Sequence, residues 1–266
     1  MILGLGLALF FHLFVALFLN VLTNRYRLTG KNSYLVAFAY LLLSVGTMDS
    51  YFFTTQCVIN VLVVFMMFRL FQLPSTSRPK AVIFDVSMLI GVMTIINPAN
   101  IFLLVIVWVG IVSFRSLYIG DWIVSIIGVF LPALYLVVAL YLFDLLYLIE
   151  SWRFHVGRIN FPEPKYITLL GTALLFIPSL FVFLGNYGQK AAVIRKMSNL
   201  ILLLFIGLLV NSTIFGANTS ILLSLLIPIS IIVGIFLEQV KKMIIAESLI
   251  FLFIIVAGYY HYINWF

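Results

Sequence analysis

Apolar runs of about twenty residues, the length of helix that crosses the hydrocarbon of a bilayer, follow one another from end to end of this chain. They lie near residues 2 to 22, 33 to 48, 54 to 73, 81 to 96, 99 to 117, 122 to 148, 166 to 186, 199 to 214, 219 to 238 and 243 to 263. Strands of an outer-membrane barrel alternate apolar and polar over roughly ten residues, and these runs do not alternate. A helix is then the spanning form that satisfies its own backbone in lipid. With 65% of 266 residues hydrophobic, 9% charged and a mean hydropathy of +1.26, the chain has too little polar surface to coat a water-soluble globule. The expected fold is all-α: one polytopic transmembrane helical bundle over residues 1–266, with about ten spans and no soluble domain.

Basic residues set the expected orientation, because Lys and Arg accumulate in cytoplasmic loops. Alternating sides place Arg25, Arg27, Lys31, Arg69, Arg78, Lys80, Arg115, Lys190, Arg195, Lys196, Lys241 and Lys242 together, against only Arg153, Arg158 and Lys165 opposite. The first side is therefore read as cytoplasmic, which leaves both termini outside. Tyr259, Tyr260, Tyr262 and Trp265 then fall at the outer interface, where amphipathic rings prefer to lie. The net charge of +7 has the same origin. Base stacking would need aromatics interleaved with basic residues in soluble segments; here they sit mostly inside spans, so no nucleic-acid partner is expected.

Cys57 is the single cysteine and lies in an apolar run, which rules out an intramolecular disulfide and a cysteine-based metal site. Met1 to Leu22 lacks a basic leader and a small-residue cleavage pattern, so it reads as a span. Pro132, Pro178 and Pro228 fall inside apolar runs and are expected to bend their helices. Asn97 followed by Pro98 reads as a helix cap and first helical residue, which turns the fourth span into the fifth. No Walker loop, zinc motif, Rossmann fingerprint or nucleophile elbow occurs, so neither cofactor nor metal is expected.

From Leu28 to Pro132 the chain resembles an uncharacterised family, a domain of unknown function, of polytopic inner-membrane proteins from Gram-negative bacterial envelopes. The likeness rests on Leu28-Thr29-Gly30-Lys31-Asn32-Ser33-Tyr34, on Phe84-Asp85 with Gly91, and on Arg115 with Asp121-Trp122, Gly128 and Pro132. It implies a multi-pass location in a bacterial inner (cytoplasmic) membrane. It also implies a further basic-flanked helix ahead of the segment equivalent to Met1, so Met1 is read either as a late start or as a departure from the family. Some members carry a carotene monooxygenase label. Such chemistry needs four histidine iron ligands, and this chain holds His12, His155 and His261.

Ionisable groups within spans are costly and are functional candidates for that reason. Asp85 lies about one turn into its span, within reach of Arg69, Lys80 or Arg115, and is expected in a structural ion pair. Glu238 precedes Lys242 by four residues, the favourable order for a helical pair. Arg115, Asp121 and Trp122 form a candidate partner contact in a cytoplasmic loop. Outside, Arg153, His155, Arg158 and Lys165 form a candidate lipid or phosphate contact, with forked guanidinium donors beside Trp152 and Phe154. Asp49, Asp144 and Glu150 are the candidate carboxylates for base chemistry there.

Short loops and scarce intramembrane charge favour a non-catalytic subunit or scaffold of a cell-envelope system, in surface-glycan assembly or protein export. The bilayer and a membrane-protein partner are the expected contacts. The alternative is a membrane enzyme or flippase that acts on polyprenyl-linked sugars through the loop 149–165. An ion-coupled transporter is a second alternative, disfavoured by the lack of midplane carboxylates and matched broken helices.

Overall fold

In hydrocarbon, backbone N–H and C=O groups have only each other as partners, and each apolar run closes into a helix. The computed structural model of the chain describes residues 2–30, 32–47, 53–114, 118–147, 165–214, 219–240 and 243–265. These residues form ten α-helices and no strand. They are α1 (Ile2–Arg25), α2 (Leu35–Val45), α3 (Thr55–Phe71), α4 (Pro79–Ile96), α5 (Leu103–Phe114), α6 (Ile119–Leu142), α7 (Lys165–Gly185), α8 (Ala192–Ile214), α9 (Thr219–Gln239) and α10 (Met243–Trp265). Six of them, α1, α4, α6, α7, α8 and α10, are long and apolar enough to cross a membrane. The remaining apolar helices are shorter over the described residues. With 11 residues, α2 rises only about 16 Å, against roughly 30 Å of hydrocarbon.

The chain divides into two compact units. The first holds α1, α2, the opening turns of α3, α7, the opening turns of α8, α9 and α10. Within it α2 packs on α1 and α9, and α7 on α9 and α10. Gly234 of α9 sets the closest approach: a Cβ there would stand 2.6 Å from Val36 Cγ2 and 2.8 Å from its Cα. Phe253 of α10 is buried where Gly46 and Gly171 make room for its ring. Tyr259 and Tyr262 are exposed while Tyr260 is buried, because successive helical residues face about 100° apart.

Polar ties close one end of this unit. The Gly30 N–H donates to Glu238 Oε2 at 3.0 Å, and Asn186 Nδ2 donates to Gln239 Oε1 at 2.8 Å. The Lys190 ammonium stands 4.1 Å from the centre of the Phe183 ring, and burial pushes its pKa below the usual lysine value.

The second unit holds the rest of α3, then α4, α5, α6 and the rest of α8. Its main contact joins α4 and α6, again through glycine. A Cβ on Gly91 would stand 2.5 Å from the Val129 carbonyl oxygen and 3.0 Å from Pro132 Cγ; one on Gly128 would meet Ser87 Cβ at 2.8 Å and the Phe84 carbonyl at 3.0 Å. Asn97 Oδ1 accepts from the Ala99 N–H at 3.1 Å and caps a 3-10 turn, Pro98–Phe102, that leads into α5.

Two helices end on charged residues in the left-handed region, Arg27 (φ 50°) after α1 and Asp144 (φ 54°) after α6. Each is followed by the paired hydrogen bonds of a Schellman motif: Leu28 N to Thr23 O with Arg27 N to Asn24 O, and Leu145 N to Leu140 O with Asp144 N to Tyr141 O.

Gly91→Ala is expected to destabilise the protein by about 1–3 kcal/mol through overpacking, read as a lower unfolding midpoint in detergent. Gly258→Ala, where a Cβ meets nothing within 4 Å, should lose no stability. Arg27→Gly should raise stability by about 1 kcal/mol, because glycine occupies the left-handed region without the side-chain penalty; an unchanged or lower midpoint would refute that reading of the turn.

Candidate functional site

Polar side chains inside a spanning region are retained only where something satisfies them, so their clustering marks where chemistry or specific association can occur. One such cluster lies wholly within the first unit. It takes His12 from α1, Tyr40 from α2, Gln56, Cys57 and Asn60 from the first turns of α3, and Ser224 from α9, all buried. Gln56 and Asn60, four residues apart, share one face of α3. His12 Nδ1 lies 3.1 Å from the Tyr40 hydroxyl, with the two ring centres 5.9 Å apart. Asn60 and Cys57 of α3 lie within electrostatic range of the same hydroxyl. Ser224 Oγ donates to Asn60 Oδ1 at 2.5 Å, Gln56 Nε2 donates to Ser224 Oγ, and Gln56 Nε2 approaches Asn60 Oδ1 at 3.4 Å.

Four helices thereby meet at polar atoms, with no carboxylate in the cluster. Asn60 is 1% exposed, and its Nδ2 donates to no described residue. The arrangement can fix the register of α1, α2, α3 and α9. It can also hold a water or another small acceptor against Asn60. Among the described residues no three His, Cys, Asp or Glu side chains converge as metal ligands would.

The second unit has its own polar contacts. Asn100 Nδ2 donates to the Met93 carbonyl at 3.1 Å, and Asn211 Nδ2 of α8 donates to Asn100 Oδ1 at 3.4 Å. Trp108 Nε1 donates to Ser125 Oγ at 3.0 Å, and the Trp108 ring lies 4.9 Å from that of Trp122.

The sequence-derived candidates distribute as follows. Asp85 Oδ2 stands 3.4 Å from Arg69 Nη2, both side chains partly exposed, a geometry of small net energy. Asp121 is 1% exposed in the first turn of α6, where the helix dipole favours a negative charge. Beside it, the Lys80 ammonium lies 3.5 Å from where a Gly120 Cβ would stand. Asp144 is the left-handed residue that ends α6. Glu238 reaches the Gly30 N–H, while Lys242 lies outside the described residues. So do Asp49, Arg115, Glu150, Arg153, His155 and Arg158, and of Lys165 only the backbone, at the start of α7, is described.

Sequence reasoning passed over Tyr40, Gln56, Asn60 and Ser224 because none is charged. Their signal was the pairing of amides at four-residue spacing inside an apolar run, repeated by Asn20 and Asn24 in α1.

Asn60→Leu removes the atom on which Ser224 and Gln56 converge and leaves both buried. It is expected to cost about 1–3 kcal/mol, and Ser224→Ala less, measured as unfolding in mixed micelles. If Asn60→Leu unfolds at the parent midpoint, the cluster does not hold these helices together.

No curated protein matches the chain, and no solved structure does. A model of a family of unknown function, DUF6427, matches residues 2–265, and the chain belongs to that family.

Proposed function

We propose that the protein is a non-catalytic, multi-spanning subunit or scaffold of a bacterial inner-membrane system that builds or serves the cell envelope, in surface-glycan assembly or protein export. In this reading about ten segments cross the bilayer, both termini lie outside, and the loops rich in Lys and Arg face the cytoplasm. The observation that carries it is the use of polar groups. Most described hydroxyls bond back to a carbonyl of their own helix. The amides and the histidine that reach further join helices within a unit, and the clusters they form hold no intramembrane carboxylate. Such a chain offers partners its outer surface and short loops.

The outer surface is rich in large apolar side chains. On α6, Ile126, Ile127, Phe130, Leu134 and Val138 line a shallow groove of about 550 Å³, and Phe130 is 65% exposed. Lipid or a partner's helix can cover such a face at equal hydrophobic gain, so association there depends on shape and polar contacts.

Three experiments test this reading. Purification in mild detergent is expected to recover other membrane proteins at fixed stoichiometry, and recovery of the chain alone would overturn it. Reporter tags at Gly188 and Gly157 are expected on opposite sides of the membrane. The double change Arg153→Ala with Arg158→Ala is expected to leave the recovered assembly intact; loss of a glycan product with assembly unaffected would favour an enzyme.

A further inference from the structure

At its polar end α1 forms one wall of an open cleft of about 710 Å³, which continues onto the chain leading into α2. Asn20 and Arg25 line it from the helix, Ser33 and Tyr34 from the connection, and Leu17 and Val21 from the apolar side. Asn20 is 4% exposed, yet its Oδ1 accepts from no described residue, and neither does Ser33 Oγ pair with one. A buried amide oxygen without a donor is costly, and the residue that carries it, Asn20, lines a cleft open at the surface. Asn24 is already committed. Its Oδ1 accepts from Thr29 Oγ1 at 3.3 Å and the Ser33 N–H at 3.4 Å, and its Nδ2 donates to the Ser33 carbonyl at 3.3 Å. These bonds hold Ser33 in place beside the cleft.

An apolar lane runs up to this polar pocket. Phe10, Leu13, Leu17 and Val21 are exposed and recur every three or four residues, so they form one stripe along α1. At its head come a guanidinium, a hydroxyl and an unmatched acceptor, with the Tyr34 ring 77% exposed as an interfacial aromatic. An acyl chain fits the lane. A phosphate fits Arg25 and the Ser33 hydroxyl. The Asn20 oxygen calls for a donor on the same molecule, which an ethanolamine ammonium or a glycerol hydroxyl provides and a choline does not. Free phosphate would leave the lane uncovered.

We infer that this cleft is a specific site for a diacyl phospholipid whose headgroup carries a hydrogen-bond donor, phosphatidylethanolamine or phosphatidylglycerol. The lipid seats along α1 with its phosphate at Arg25 and Ser33 and its donor on Asn20 Oδ1. It would bind there whether or not the chain serves as a scaffold.

Native mass spectrometry of the full chain, purified in detergent and titrated with single phospholipids, tests the site. Phosphatidylethanolamine and phosphatidylglycerol are expected to be retained about fivefold or more over phosphatidylcholine, as one added hydrogen bond allows. Arg25→Gln and Ser33→Ala should weaken retention of both by a similar factor, and Asn20→Leu should abolish the preference over phosphatidylcholine. Should Asn20→Leu fail to fold, the other two variants carry the test, since both residues lie in the partly exposed cleft wall. Equal retention of all three lipids overturns the site, as does parent-like retention by the Arg25 and Ser33 variants. Displacement of the bound phospholipid by inorganic phosphate overturns it too, by showing that free phosphate is what the pocket reads.

Discussion

Lipid tails are as apolar as leucine, so hydrocarbon gives two helices no hydrophobic reason to associate; close packing and hydrogen bonding must do so. In this chain close packing is delivered by glycine. At Gly234 against Val36, and at Gly91 and Gly128 between α4 and α6, no side chain larger than hydrogen fits between the backbones. Approach at that distance multiplies weak dispersion contacts along the helices. The same approach brings short polar side chains within bonding range of a neighbouring helix.

That second effect explains where the polar clusters sit. Ser224 and Gly234 are both on α9, and Tyr40 and Val36 are both on α2. The helices drawn together at the Gly234–Val36 contact are the ones that bring the Ser224 hydroxyl to Asn60 and the Tyr40 hydroxyl to His12. A serine or tyrosine hydroxyl has short reach, so the bonds from Tyr40 to His12 and from Ser224 to Asn60 and Gln56 require helices already close. Packing and polar satisfaction thus reinforce one another, which is how a bundle without a hydrophobic driving force selects one arrangement.

Helical class and the positions of the ten helices were legible from hydropathy alone, since a run of apolar residues has one solution in lipid. Asn97-Pro98 was legible too, because a cap followed by proline acts locally. Helix pairing was not. Phe84, Gly91, Gly128 and Pro132 look like isolated punctuation in the sequence, and only the fold shows that they face each other across α4 and α6. The buried cluster escaped for a related reason: attention to charge overlooks amides and hydroxyls, whose importance depends on neighbours from distant segments. For Glu238 the sequence suggests Lys242, which lies outside the described residues, and no local pattern points to the Gly30 N–H that reaches it from 208 residues away.

That last bond bears on the order in which the molecule is made. A chain threaded into a membrane in sequence order presents α1 and α2 well before α9, and the groups that close around them, Gly234 on Val36 and Glu238 on Gly30, emerge only after some two hundred further residues. Most of the second unit is continuous in sequence and can assemble meanwhile. The pair α1 and α2 therefore lacks its α9 contacts throughout most of synthesis. Until α9 arrives, the pair rests on the packing of α1 against α2.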